Sequence, residues 1–231
     1  MVKTPFQYRL IPPLENGDRL TRYEFERRHD LMPQNKKAEL IEGVVYTAAA
    51  ALRFRSHGQP HASLLTWLGN YTVATPGVAL GDAPTVRLDS DNEPQPDAVL
   101  LIEEQCGGRS RVSEDDYIEG VPELVVEIAA SSAAIDLGDK KRAYRRNGIP
   151  EYIVWQVFDR QVDWFCWQEG EYISLPVDAD GTIRSRVFPG LWLAVEDLLA
   201  GNMVRVLAVL QAGLAAAEHD KFVQQLSQVG G

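Results

Sequence analysis

Cysteine is scarce in this chain, with only Cys106 and Cys166 among 231 residues, far apart and without a Cys-x-x-Cys pair. The four histidines, His29, His57, His61 and His219, also lack zinc-finger spacing. The sequence therefore predicts neither a structural disulfide nor a structural zinc. Long apolar runs are missing too. No segment approaches the roughly 20 apolar residues that a membrane helix requires. Residues 1–13 hold no apolar stretch of signal-peptide length, so the expected location is the cytoplasm. Positive charge is short: 23 Lys and Arg stand against 33 Asp and Glu, a formal net charge of −10. That balance argues against nucleic-acid binding driven by global charge alone.

What is present is an ordinary globular composition, 45% hydrophobic and 24% charged, without repeats. The length allows a single domain with a substantial core. The expected organisation is one domain over residues 1–231, with a core at about 20–199 and a helical tail over 200–231. Charge is uneven along the chain. Residues 136–146 carry Lys140, Lys141, Arg142, Arg145 and Arg146 against Asp136 and Asp139, five against two, a local excess of +3.

Element signals alternate between strand and helix. Thr21 with Glu24 has capping-box form, predicting a short helix toward His29 that Pro33 stops. Residues 39–49 read as a strand or a bent strand pair around Gly43. Pro60 suits a first helical turn, and Leu64, Leu65, Leu68 and Tyr71 recur at helical spacing until Pro76-Gly77. Strands are expected over 78–88 and 97–102, the latter apolar enough for a central position. Residues 103–120 read as a long irregular loop. After an apolar run at 124–128, Asp136 is the expected cap of a basic helix that Asn147-Gly148 ends. Strands over 153–158 and 162–167 form a hairpin, with another over 172–175. The apolar stripe Met203, Val206, Leu207, Leu210 and Leu214 in the tail fits either a dimer seam or a core helix. Strands mixed with flanking helices indicate an α/β architecture.

The chemistry concentrates in three places. Glu127 sits among Leu124, Val125, Val126 and Ile128, where a buried carboxylate needs a cation or metal ion to offset its desolvation, although a strand-end salt bridge would serve as well. Asp97 follows Pro96 at the mouth of another apolar strand. Lys140 lies in the basic helix. Two carboxylates holding a magnesium ion, with a lysine near the attacking water, are the residue types that phosphodiester hydrolysis asks for. Gly107-Gly108 lacks the continuation of a phosphate-binding loop, and Ser131-Ser132 lacks a nucleophile elbow. Trp155, Trp164, Phe165, Trp167 and Tyr172 could stack bases but suit the packing layer of a sheet.

The segments Glu39-Leu40-Ile41-Glu42-Gly43, Gln95-Pro96-Asp97-Ala98-Val99-Leu100-Leu101 and Pro122-Glu123-Leu124-Val125-Val126-Glu127-Ile128 come in that order. They are followed by Asp136-Leu137-Gly138-Asp139-Lys140, Tyr144 and Gly148-Ile149-Pro150-Glu151-Tyr152. Together, over roughly residues 20–199, they resemble the Uma-type restriction endonuclease family. The resemblance implies the fold of the PD-(D/E)XK nucleases: α/β, a restriction-endonuclease-like core with a mixed β-sheet flanked by helices. It assigns Asp97 and Glu127 as the acids that hold Mg²⁺ or Mn²⁺, and Lys140 as the lysine that follows an aspartate by four. The general nuclease pattern places its lysine two residues after the glutamate, where this chain has Ala129. Lys141 is the adjacent substitute for Lys140. Glu39, with Glu42 behind it, could add a metal contact, His61 could touch phosphate or a metal-bound water, and Tyr144 is a packing residue with its hydroxyl tied down.

The resulting expectation is a metal-dependent DNA endonuclease in which Lys141, Arg142, Arg145 and Arg146 meet backbone phosphates. A homodimer would suit cutting both strands, and no nucleotide cofactor is expected. Two alternatives are a catalytically inactive relative that binds nucleic acid or a protein, and a metal-binding protein without nucleic-acid function.

Overall fold

The structure is a computed structural model that describes residues 11–32, 37–47 and 53–230. Helix α1 (Arg22–His29) starts where the Thr21 hydroxyl accepts a hydrogen bond from the Glu24 amide. The Glu24 carboxylate does not return the bond but clamps Arg27 and Arg28. Pro33, expected to stop this helix, and Ala48 and Ala49, expected to end the next strand, lie outside the described residues. Strands β1 (Ala38–Ile41) and β2 (Val44–Thr47) form an antiparallel hairpin through Glu42 and Gly43, both at positive φ. A π-helical turn, Phe54–Gly58, leads into α2 (Gln59–Ala74), with Pro60 in its first turn.

Strands β3 (Val78–Asp82), β4 (Val86–Arg87) and β5 (Ala98–Ile102) follow. The single strand expected over 78–88 is thus two strands, separated where Ala83 takes φ +48 ahead of Pro84. Residues 103–120 are not one irregular loop. They hold a 3-10 turn, Glu104–Cys106, then β6 (Ser110–Val112) and β7 (Ile118–Gly120), which join β4 in a three-stranded sheet. Strands of two or three residues carry no readable period, and here the partner β4 lies far back in sequence.

Strand β8 (Leu124–Ala129) is followed by α3 (Ala133–Ile135), a π-helical turn Asp136–Lys140 and α4 (Lys141–Arg146). Asp136 is therefore not a cap. The helical segment begins three residues earlier, after Ser132, and Asp136 lies inside it, only 1% exposed. Next come β9 (Glu151–Gln156), β10 (Gln161–Gln168), β11 (Glu171–Ser174), β12 (Thr182–Arg184) and β13 (Trp192–Ala194). Helices α5 (Val195–Leu199), α6 (Met203–Leu214) and α7 (Ala217–Val229) complete the described chain.

The central sheet runs β11-β10-β9-β8-β5-β3. Only β8 and β9 pair in parallel, as a helical crossover between them requires, and the other neighbours are antiparallel. Alternation along β8 sorts its residues by face. Leu124 and Val126 pack with Leu64, Trp67, Leu68 and Tyr71 of α2, whereas Val125 and Ala129 pack with Tyr144, Ile149 and Tyr152. Glu127 shares the parity of the second set and so faces α4. The mixed sheet flanked by helices is the α/β fold that the family resemblance implies. Four of the five aromatics fill packing layers, Trp155 and Trp164 in the first cluster and Phe165 and Tyr172 in or against the second, whereas Trp167 is 39% exposed. A third, small cluster joins Leu14, Phe25, Leu40 and Val45 around α1 and the β1–β2 hairpin.

The tail question has a structural answer. Val206 and Leu210 of α6 and Leu226 of α7 are buried in the same cluster as α2. Leu210→Ala is expected to cost about 2–5 kcal/mol, because the side chain is removed from a fully packed position. Denaturant unfolding measures this, and an unchanged midpoint would show the tail to be dispensable.

Candidate active site

The β5–β8 register pairs Ala98 with Val126 and Val99 with Val125, so Asp97, one residue ahead of β5, comes level with Glu127. The strand ends are tied there, since the Ile128 amide donates to Asp97 Oδ2 at 2.7 Å. Both acids face the layer beneath α4. Both are also nearly removed from solvent, Asp97 at 8% and Glu127 at 4% exposure.

Lys140 arrives from the crossover after β8. Its Nζ lies 2.9 Å from Glu127 Oε1, 2.9 Å from Glu39 Oε1 and 3.8 Å from Asp136 Oδ1, and the side chain is buried. One helical turn on, the Tyr144 hydroxyl donates to the same Glu127 Oε1 at 2.8 Å, as the four-residue spacing from Lys140 permits. Tyr144 is thus buried with its hydroxyl tied down. Glu39 comes from β1 and is held by the Gln95 amide at 2.7 Å. Three carboxylates, Glu39, Glu127 and Asp136, therefore surround one ammonium, with Asp97 level with Glu127, in a cavity of about 690 Å³ that all five residues line.

The electrostatics follow from burial. Desolvation, with repulsion from Asp136, Asp97 and Glu39, pushes Glu127 well above the usual carboxylate range despite the attraction of Lys140. Burial likewise raises Asp136 to about 6. Burial would also raise Asp97, but the His57 hydrogen bond and the Ile128 amide outweigh it and hold Asp97 below its ordinary value. Burial opposes the Lys140 charge, yet Glu127, Glu39 and Asp136 together keep it firmly protonated.

His57 was not singled out by the sequence. It sits in the π-helical turn before α2 and reaches Asp97 Oδ1 with Nε2 at 3.1 Å. His61, one turn further, contacts the Asp97 backbone oxygen at 2.9 Å and Asp82 Oδ1 at 3.2 Å. It braces the strand end from the side. Asp136, Lys37, Arg53 and Phe158 also line the cavity. Asp136, expected as a helix cap, could have been marked by its place four residues before Lys140, and the other three carry no local signal.

The four remaining basic residues do not line the cavity. Lys141 places its ammonium 3.5 Å from the centroid of the Phe165 ring. Arg142 pairs with Asp139 and Glu42, Arg145 with Glu171, and Arg146 with Glu42 and Asp89. The +3 excess of the linear sequence is offset by acids that the fold brings alongside.

The donor set is all oxygen, as hard divalent cations prefer. Asp136 Oδ2 is buried without a hydrogen-bond partner, and Glu127 engages only Oε1 in hydrogen bonds among the described residues. Among those residues, no group of three or more His, Cys, Asp or Glu side chains has the geometry to hold a metal ion. The arrangement fits the sparser mode in which one or two carboxylates hold magnesium and water or phosphate fills the other positions.

No curated protein matches the chain. A solved structure described as "a putative nuclease belonging to DUF820 from Anabaena variabilis ATCC 29413" is similar in fold. Its TM-score is 0.57 at 13% identity, and the match covers 75% of this chain and 96% of that one. The family model of Uma2, described as "Putative restriction endonuclease", matches residues 22–196, a span containing every carboxylate and the lysine of the site. By that match over most of its length, the chain belongs to the Uma2 family.

Proposed function

We propose that this protein is a metal-dependent nuclease that hydrolyses phosphodiester bonds in DNA. The observation that carries the reading is the buried Lys140 ammonium bonded to Glu127, itself level with Asp97, at the floor of an open cavity. Asp97 and Glu127 would hold Mg²⁺ or Mn²⁺. When bound, such an ion supplies charge neutralisation at phosphate and lowers the pKa of water. Glu39 and Asp136 hold Lys140 in place, and Lys140 presents a fixed positive charge to the attacking water or the phosphate oxygens. Tyr144 fixes the rotamer of Glu127. His57 orients Asp97 from the opposite side, and His61 steadies the backbone that carries it. Lys37 and Arg53, on the cavity wall, are placed to meet phosphates. The side chains of Arg142 and Arg146 are half exposed and could turn from Glu42, itself 18% exposed, toward phosphate.

One observation favours the second reading, a nuclease fold that binds without cutting: Lys140 is already engaged by Glu127 and Glu39. Supercoiled plasmid incubated with magnesium, manganese or chelator separates the two. Nicking is expected with either ion, none with chelator, and none for Asp97→Ala, which melts lower for loss of the Ile128 and His57 hydrogen bonds but stays folded at the assay temperature. Failure to nick with both ions would favour the binding protein.

A further inference from the structure

Depth and rim of the cavity together narrow the substrate. The groups at its floor, Asp97, Glu127, Asp136 and Lys140, are each at most 8% exposed. Phe158, which lines the same cavity, is 68% exposed. It sits in the turn between β9 and β10, and this turn is firmly mounted. The Val157 amide donates to the Ala129 oxygen at the end of β8, and Gln156 donates to Asp163 across the hairpin. An exposed ring on a braced tip has no packing role that would explain it.

We propose that the site takes a single-stranded or locally unpaired nucleic-acid strand, with Phe158 stacking on a base beside the phosphate that reaches the floor. This deepens the nuclease reading and rests on it for the cutting step. Three observations converge. A volume of about 690 Å³ is that of a small-molecule pocket, suited to a nucleotide or two. A duplex is a stiff rod too broad to enter such a recess and can offer it only the phosphates on its outer surface, whereas an unpaired strand can thread inside. An unpaired strand bends freely. Secondly, an aromatic ring and basic groups lining one recess, here Phe158 with Lys37 and Arg53, are the combination by which proteins grip single strands irrespective of sequence. Thirdly, a duplex needs a broad basic surface, whereas this chain carries −10 and Arg142, Arg145 and Arg146 are met by acids. A short strand asks for only a few phosphate contacts.

The test uses one labelled sequence as a single strand, as a blunt duplex and as a duplex with an unpaired fork. Binding is followed by fluorescence anisotropy in magnesium immediately after mixing, and cleavage afterwards with magnesium or manganese. The full chain is compared with Phe158→Ala and Phe158→Trp, whose folding is checked by thermal melting. The expected result is that strand and fork bind at least about tenfold tighter than the blunt duplex. Phe158→Ala should lose about tenfold on the strand, and Phe158→Trp should restore it. A 2-aminopurine placed in the strand should change its fluorescence on binding to the parent and much less with Phe158→Ala. Equal or tighter binding of blunt duplex, or indifference to Phe158→Ala, overturns the proposal. Cleavage of duplex with the single strand ignored leaves the nuclease reading standing and removes this one. Phe158-dependent strand binding without cleavage by either ion does the reverse. No binding to any of the three removes both.

Discussion

Replacing Lys140 with methionine is expected to lower the unfolding free energy by about 3–5 kcal/mol at pH 8, a drop in melting temperature on the order of 10 °C. Methionine fills nearly the same volume, so the loss is electrostatic. It leaves Glu127 and Asp136 buried, with Glu39 beside them, and removes the ammonium that, among the described residues, pairs with all three. The deficit depends on pH, and its direction follows from the carboxylates. Asp136 is raised from 3.8 to about 6 in the folded protein, and Glu127 is raised as well. Stability linked to their protonation is complete below about pH 4 and is lost as pH rises through about 6. Lys140 is held above its ordinary value, so its own charge is present throughout this range. The ammonium therefore matters most where the acids are ionised. Chemical denaturation of parent and variant at pH 5 and pH 8, both in chelator, should show the difference shrinking markedly at pH 5. A small, pH-independent difference would mean that the acids are not held together by Lys140.

Glu127→Gln should separate activity from stability. Loss of the carboxylate is expected to reduce metal-dependent cleavage on the order of 10³-fold, the scale of removing one charge-stabilising group from an active site. The melting temperature in chelator at pH 8 should stay level or rise. The substituted amide would keep an oxygen to accept the Tyr144 hydroxyl, and Lys140 would retain Glu39 and Asp136. What disappears is a charge that burial and three neighbouring acids disfavour more than Lys140 favours it. Destabilisation at the functional centre commonly accompanies activity. Single-turnover cleavage and thermal melting of the same preparations test both halves. A variant that loses activity and melts early would assign Glu127 a structural role.

Much of this arrangement was legible in one dimension. Asp97 at the mouth of one apolar strand and Glu127 inside another stand out as carboxylates in apolar company, and a spacing of four puts Lys140 and Tyr144 on one side of a helix. The resemblance supplied the sheet that joins them. Asp136 was misread because an aspartate ahead of a basic run looks the same as a helix cap. Only the start of the helix at Ala133 distinguishes the two, and the intervening π-helical turn has no sequence signature. The basic patch was overestimated for a related reason. Counting charges along residues 136–146 cannot see Glu42, Asp89 or Glu171 arriving from other elements. His57 and Phe158 lie in turns and Lys37 just ahead of β1, where no periodicity marks which way a side chain points.

The small cluster of Leu14, Phe25, Leu40 and Val45 gives α1 and the β1–β2 hairpin a core of their own, separate from the two clusters on the central sheet. The hairpin meets the crossover mainly through polar links: Glu39 with Lys140, Tyr46 with Asp139, and Glu42 with Arg142 and Arg146. Units joined by few apolar contacts are the ones that open locally while the rest stays folded. Glu39 thus rides on a hairpin whose apolar core is separate from the sheet that carries Asp97 and Glu127, joined to the approach to Asp97 by backbone bonds with Asp91 and Glu93. Amide protection in the hairpin would report on that opening alone, and the two principal acids would keep their places on the sheet while the lysine lost one of its three anchors.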